Sequence, residues 1–385
     1  IVFIAVGLQE PKKGGGGGVR SMAFGISTMV TLQTLVGLLA VLVLSMVVQS
    51  QFHPGFGLLL PLGYEQGPGQ ALSMGSAWEN VDANGMPDGS QVGLIIAAMG
   101  FGWSVVIGVP LVAWGKARGL VSRAAAAPAN KVDEAEQKHE LPPGSLEFLS
   151  RQVVVIAVCY LATYGVCYGI SLLLAGAPKF AAMVWGFHFI FGALIAMGVR
   201  TLLKKTSSPT PLDSRLLGRM GGLTVDFITT AALAAVQLSV FGANWLPIVL
   251  VTSLGGMVTL VGCLWLARRA FDEASFEHCV VWFGMSTGTL PMGLALLRVI
   301  DPEMRSPAPI SAVLGSAGSI LGAAPVVIFI HPIPIGAWPD SYPSGGWLAV
   351  GIAALYLAGV LVAWWKFGGL RLTLPWARLW PPEEA

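Results

Sequence analysis

The sequence predicts an all-α polytopic membrane protein built on an inverted repeat, with two oppositely oriented re-entrant hairpins, and three observations carry that prediction. Mean hydropathy is +0.72, with 55% apolar and only 11% charged residues, whereas soluble domains are roughly a quarter charged. Apolar stretches of about 20 residues, the length a helix needs to cross hydrocarbon, recur along the chain. Two further apolar segments, 56–77 and 278–300, are interrupted in the middle by Gly67-Pro68-Gly69 and by Gly284-Met285-Ser286-Thr287-Gly288-Thr289-Leu290-Pro291. Glycine costs about 1 kcal/mol and proline about 3 relative to alanine in a helix interior, so the helix breaks there. Backbone groups freed at membrane depth need protein or water partners, and broken segments of this kind line cavities.

In chain order the spans are Ile1–Leu8 (the end of one helix), Met22–Val48, Val92–Trp114, Val153–Leu174, Ala181–Val199, Leu223–Phe241, Pro247–Leu266, Pro309–Ile330 and Trp347–Trp365. If both broken segments return to the side they came from, every Lys and Arg except Lys179 falls on one face. Counting either segment as a full crossing scatters the basic residues over both faces. The positive-inside rule therefore favours the re-entrant assignment and makes the basic face cytoplasmic, with the C-terminus on it. The implied location is a bacterial inner membrane.

The halves then repeat one order: span, loop, span, hairpin, span. Residues 1–115 form the first repeat around hairpin 56–77, and 153–332 form the second around hairpin 278–300. The polar stretch 116–152, with Ala124–Ala127 and Pro142-Pro143-Gly144, reads as a cytoplasmic linker, and 333–385 add a C-terminal transmembrane helix and tail. The second repeat opens with two spans that have no counterpart in the first, and the chain enters on an apolar run at Ile1, so about two helices are expected upstream. That run has neither the basic region nor the cleavage site of a signal peptide. The first hairpin opens from the periplasm and the second from the cytoplasm. Opposed repeats with interrupted helices meeting near the midplane point to a secondary transporter.

Other classes fit poorly. The net charge of +2 is carried in short loops and forms no basic stripe, which excludes a nucleic-acid partner. There is no H-E-x-x-H or G-x-S-x-G and the histidines are scattered, so the chain is not expected to be an enzyme. The hairpins occur once each and in opposite senses, whereas a channel filter needs identical loops around a pore. Cys159, Cys167, Cys263 and Cys279 include no C-x-x-C pair and read as packing residues.

Gly67-Pro68-Gly69-Gln70-Ala71, the following span with Gly100, Gly102 and Gly108, and Gly288-Thr289-Leu290-Pro291 together resemble the bacterial sodium/glutamate symporter family. The likeness runs in order and spacing from Ile1 to about Ile330; Tyr64-Glu65-Gln66 stands where that family has Gly-Gly-His. The resemblance implies an elevator-type homodimer, surrounded by membrane lipids, that couples sodium entry to uptake of a small anionic solute such as glutamate.

The candidate site lies at the hairpin tips. Half-helix N-termini carry about +0.5 charge and can meet a carboxylate, while unwound carbonyls and hydroxyls can hold sodium. The first tip offers Glu65, Gln66, Gly67, Gly69 and Gln70. The second offers Ser286, Thr287, Gly288, Thr289 and Pro291, with the Ser286, Thr287 and Thr289 hydroxyls as candidate sodium ligands. Glu65 is open to several roles: receiving a substrate ammonium, a sodium ion or a proton, or sitting in water at the periplasmic mouth. Asp226 is the lone carboxylate of its span and either acts in coupling or caps the cytoplasmic end. Proton coupling through these carboxylates, and a non-transporting sensor or partner subunit, are the alternatives. His188 is expected to hydrogen-bond between helices, Arg298 to reach back to the interface, and Trp347, Trp364, Trp365 and Trp376 to anchor the chain at the membrane surface.

Overall fold

A computed structural model describes residues 1–9, 16–79, 85–122, 125, 145–174, 176, 184–185, 188–205, 212–337, 340–341, 344–372 and 380. Among them every regular element is helical. The order is α1 (Val2–Leu8), α2 (Gly17–Val48), α3 (Gly55–Pro61), α4 (Pro68–Glu79), α5 (Gly89–Val106), α6 (Gly108–Ala117) and α7 (Ser145–Leu173). Then follow α8 (His188–Lys205), α9 (Ser214–Ala234), α10 (Leu238–Ala243), α11 (Trp245–Ala270) and α12 (Ser275–Arg298). The last are α13 (Ala308–Pro325), α14 (Pro332–Ala337) and α15 (Ser344–Ala363). Wide π turns continue three helices, at Leu62–Gln66, Val326–Ile330 and Trp364–Gly368. The first two directly follow Pro61 and Pro325, where a missing N–H interrupts the regular ladder.

Among the described residues, seven helical stretches are long and apolar enough to cross a membrane: Gly17–Val48, Gly89–Ala117, Phe148–Leu173, Trp245–Ala270, Ser275–Arg298, Ala308–Gly336 and Ser344–Gly368. The protein is a multi-pass membrane protein. Large apolar side chains stand on its outside, among them Leu161, Leu173, Leu321 and Leu355. In water such a surface would be prohibitive; against lipid tails it costs nothing.

Two expected spans take a different form, and a third lies partly outside the described residues. Leu223–Phe241 is not one helix, because the chain turns extended at Gln237 and divides it into α9 and α10. Within Ala181–Val199, residues 181–183 and 186–187 lie outside the described residues, and α8 starts at His188. The helix expected from Val153 begins at Ser145, so the last part of the 116–152 linker is helical, while 126–144 lie outside the described residues.

Buried apolar side chains form two cores. The large one gathers α2–α6 and α10–α15, with Trp78, Trp282, Trp364 and Tyr64 among its fully buried members. The small one joins α1, α7, α8 and α9 through Ile4, Leu8, Ile156, Cys159, Ala196 and Leu217. Arg200 donates to the Gly7 and Gln9 carbonyls, which have no further helical turn to bond, at 3.2 and 2.6 Å. The four cysteines are buried free thiols.

Trp364 is a correction to the expected interfacial belt. It is fully buried, meets Trp282 edge-on with centroids 6.0 Å apart, and its indole N–H donates to Ser21 Oγ at 3.3 Å. Placement at a helix end by sequence suits an interface anchor, but the π turn at Trp364–Gly368 rotates the ring inward. Trp347 and Trp365 are exposed, and Trp376 lies outside the described residues. Beyond this turn the C-terminal segment runs back over the end of α11. Arg371 donates its N–H to the Arg269 carbonyl at 3.0 Å and pairs with Asp272 at 2.5 Å. Trp380 donates to the Leu264 carbonyl at 3.1 Å and packs edge-on against Phe276 and Trp114.

Candidate functional site: two hairpin tips in contact

The segment from α3 to α4 goes in and comes back. A Cβ built on Gly55 would lie against Met86, whose N–H donates to the Trp78 carbonyl at 3.0 Å, so the two ends of the segment are neighbours. Its turn is Gly67, with φ 90° and ψ −179°, a region that only glycine enters without strain.

Helix α12 folds back in the same way. Gly288 (φ −147°, ψ 24°) and Thr289 (φ 73°, ψ 165°) leave helical geometry. Beyond them Gly293 packs on Val281 and Met285, and a Cβ on Gly284 would lie 2.7 Å from Gly293 Cα. Nine residues of straight helix span about 13 Å, so these neighbours require a hairpin. Each limb is then too short to cross hydrocarbon, which needs about 20 residues, although α12 as a whole has the composition of a span.

One helix orders both hairpins. Along α5 and α6, Gly93 touches Ala71, Ala97 lies against Gly63, and Gly100 touches both Tyr64 and the Thr287 carbonyl. Farther on, Ser104 donates to the Gly284 carbonyl at 3.2 Å, Gly108 meets Leu296, and Gly115 meets Phe276. Hairpin 1 thus flanks the N-terminal half of this helix pair and hairpin 2 the C-terminal half, with mouths at opposite ends. Their tips meet beside Gly100. A Cβ on Gly67 would stand 2.5 Å from Thr289 Cγ2, so no larger residue fits without moving the opposite tip.

Around this contact lie polar groups with no partner. The Ser286 hydroxyl faces the Glu65 carboxylate. Glu65 Oε2, Gln66 Oε1, Ser286 Oγ, Thr289 Oγ1 and Gln33 Oε1 are all shut off from solvent and unbonded. Gln33 reaches the same place from the middle of α2: its Nε2 donates to Thr259 Oγ1 at 2.9 Å and to the Ser286 carbonyl at 2.8 Å. Native structures leave few buried polar atoms unsatisfied, and each exception calls for an explanation such as an ion.

The sequence-derived candidates divide as follows. Glu65, Gln66, Gly67, Ser286, Thr287, Gly288 and Thr289 converge. The Thr287 hydroxyl is already engaged, donating to the Phe283 carbonyl at 2.8 Å and lying 2.6 Å from Ser104 Oγ, which leaves its carbonyl as the freer group. Gly69 and Gln70 begin α4 and face outward, Gly69 toward Ile228. Pro291 stands in the first turn of the returning limb of hairpin 2, where its missing N–H costs nothing. Asp226 is exposed on α9 and does not reach the tips. Arg298 is exposed at the end of α12, and His188 Nδ1 lies 2.7 Å from the Trp185 carbonyl and 3.4 Å from Ser73 Oγ.

Sequence reasoning overlooked Gln33, Thr259 and Ser104. The available signal was a lone amide, Gln33, inside the long apolar run of α2, where an unpaired polar group would be expensive. No group of three or more His, Cys, Asp or Glu side chains is placed to hold a metal ion among the described residues. No protein-family profile, curated protein or solved structure matches the chain.

Proposed function

We propose that this chain is a sodium-coupled secondary transporter whose ion and solute meet between the two hairpin tips. The observation that carries the reading is the set of five buried, unpartnered side-chain oxygens of Gln33, Glu65, Gln66, Ser286 and Thr289. One is a carboxylate and two are amide oxygens, which only accept, and the two hydroxyls can accept as well. A cluster rich in acceptors is stabilised by a cation, and sodium prefers several oxygen ligands. The backbone adds to it: the helical limb ending at Thr287 directs its last carbonyls there. The limbs starting at Pro68 and Leu290 open their N-termini at the same tips, where first-turn N–H groups suit a solute carboxylate.

Gly67 and Thr289 adopt nearly the same unusual backbone conformation at corresponding places in the two hairpins. That likeness supports an inverted repeat with re-entrant hairpins entering from opposite faces. The order of spans supports the further reading, by resemblance to the sodium/glutamate symporters, of an elevator-type homodimer in a bacterial inner membrane that takes up an acidic amino acid. In such a scheme the large core moves as the carrier and the small core of α1, α7, α8 and α9 stays as the frame.

A second reading rests on Glu65 alone. A carboxylate oxygen that is buried with no donor is also satisfied by a proton, which would make Glu65 the coupling group. Uptake of L-glutamate into proteoliposomes under separately imposed sodium and proton gradients decides between them. Uptake should follow sodium, and Ser286→Ala or Thr289→Val should weaken that dependence before the fold is disturbed. Uptake that ignores sodium and follows protons would transfer the coupling to Glu65.

A further inference from the structure

Helix α4 is buried on most sides, with Ala71, Met74, Gly75, Ala77 and Trp78 turned into the protein. Its remaining face carries the exposed Leu72 and, beside it, Gln70, Ser73 and Ser76, each half-buried and each three residues from the next, so the three polar residues form one stripe from the tip of hairpin 1 toward its mouth. Polar side chains at membrane depth face protein or a hydrated cavity, because lipid tails leave them without partners. Ser73 and Ser76, with the apolar Leu72 and Ala77, line a cavity of about 740 Å³ between α4 and the small core, within the roughly 300–1,000 Å³ range of small-molecule sites.

The opposite wall comes from α7, where Tyr160, Thr163 and Tyr164 share a helix face, and from Trp185 and His188. The wall is organised. Tyr164 and Trp185 lie ring to ring at 5.3 Å, the Trp185 carbonyl holds His188, and His188 reaches across to Ser73 on α4. No charged side chain among the described residues lines the cavity. Glu79, near its rim, is occupied by the Ser90 N–H and hydroxyl at 2.7 and 2.6 Å.

We infer that this cavity is a vestibular binding site for the transported solute, which rests here before passing along Gln70 to the tips. Neutral O–H donors and aromatic faces select the class: a small solute bearing a carboxylate or carboxamide, held by hydrogen bonds and weakly, since no opposite charge fixes it. Weak holding suits a waiting position, because a solute bound tightly before the tips would be slow to leave. The proposal rests on the transporter reading, and it adds a site on one side of the hairpins only.

The test uses the full chain in proteoliposomes, with Ser73→Cys in a Cys167→Ser background and Leu355→Cys, on the exposed apolar face of α15, as a lipid-facing control. The hydrophilic reagent 2-sulfonatoethyl methanethiosulfonate should label Ser73→Cys about ten-fold faster than Leu355→Cys, because only a hydrated thiolate reacts. L-glutamate, L-glutamine or succinate should slow that labelling several-fold. Labelling only by membrane-permeant N-ethylmaleimide, at the rate of the control, would mean a lipid-filled groove and overturn the proposal. Brisk labelling that none of the three solutes slows would overturn it equally. Protection is read without any transport, so failure of the vestibule and failure of sodium coupling at the tips are seen separately.

Discussion

The two hairpins solve the same backbone problem with different side chains, and the contrast shows how they differ in use. Both have an enclosed first limb and a partly open returning limb. At the turn, hairpin 1 places Gly67 in the left-handed region, where glycine is at ease, while hairpin 2 places Thr289 there, at a cost of about 1–3 kcal/mol. The open face of the returning limb is mixed in hairpin 1, where Gln70, Ser73 and Ser76 lie beside the exposed Leu72, and apolar in hairpin 2, with Leu290, Met292 and Leu294. The mouths differ as well. Hairpin 2 is closed by Trp380 against Phe276 and by Glu277, which accepts from the Ser122 N–H at 2.7 Å, whereas hairpin 1 borders the cavity. Opposed hairpins are therefore not interchangeable: one borders the cavity proposed as the approach, and the other carries the backbone strain and the hydroxyls proposed as ligands.

The sharpest way to break this comparison is at the turn. Gly67→Ala should cost about 2–5 kcal/mol, combining a strained φ with a Cβ pressed on Thr289. Thr289→Gly alone should change stability by less than about 1 kcal/mol, since relief of strain is offset by the entropy of an added glycine. Combined, the two should recover part of the Gly67→Ala loss, because the clash is shared. Thermal unfolding in detergent for the full double-mutant cycle measures this; simple additivity would mean that the tips do not touch in the working protein.

Gln33→Leu comes next. It removes the donor to the Ser286 carbonyl and leaves that group buried without a partner, a loss of about 1–3 kcal/mol. It also removes one of the five oxygens, so sodium affinity should fall along with stability. A loss of stability at unchanged sodium dependence would make Gln33 a brace for hairpin 2 rather than a ligand. Trp380→Ala should be milder. Two edge-on ring contacts are worth about 0.5–1.5 kcal/mol each beyond burial. The variant should expose a cysteine placed at Phe276 to hydrophilic reagents from the side of the basic loops while leaving Ser73→Cys unaffected.

Where the chain breaks was legible because Gly and Pro are local signals: Gly67-Pro68 and Gly288-Thr289 are the turns in space. Which hydroxyl is committed was not legible, because Thr287 and Ser286 are adjacent and differ only in what α5 and α2 bring to them, Ser104 to one and Gln33 to the other. The inward turn of Trp364 depends on a π turn that no residue pattern announces. The division of 223–241 was equally hidden, since Gln237 becomes extended within a stretch whose average hydropathy is that of a span.

The smallest expected effect tests the contrast from outside. By sequence Asp226 and Glu65 were rival carboxylates for coupling, each rare in its apolar surroundings. In space they differ: one oxygen of Glu65 is sealed at the tips without a donor, while Asp226 is exposed on α9, in the small core, and its backbone carbonyl merely accepts the Thr230 hydroxyl at 2.9 Å. Neutralising an exposed carboxylate away from any partner changes stability by no more than about 0.5 kcal/mol. Asp226→Asn should therefore leave melting temperature, uptake rate and sodium dependence near those of the parent, whereas Glu65→Gln should reduce coupled uptake strongly. Both variants, assayed under the two imposed gradients, place the coupling group. If Asp226→Asn abolished net uptake while exchange continued, the coupling would run through the small core, and that core would be part of the carrier rather than its frame.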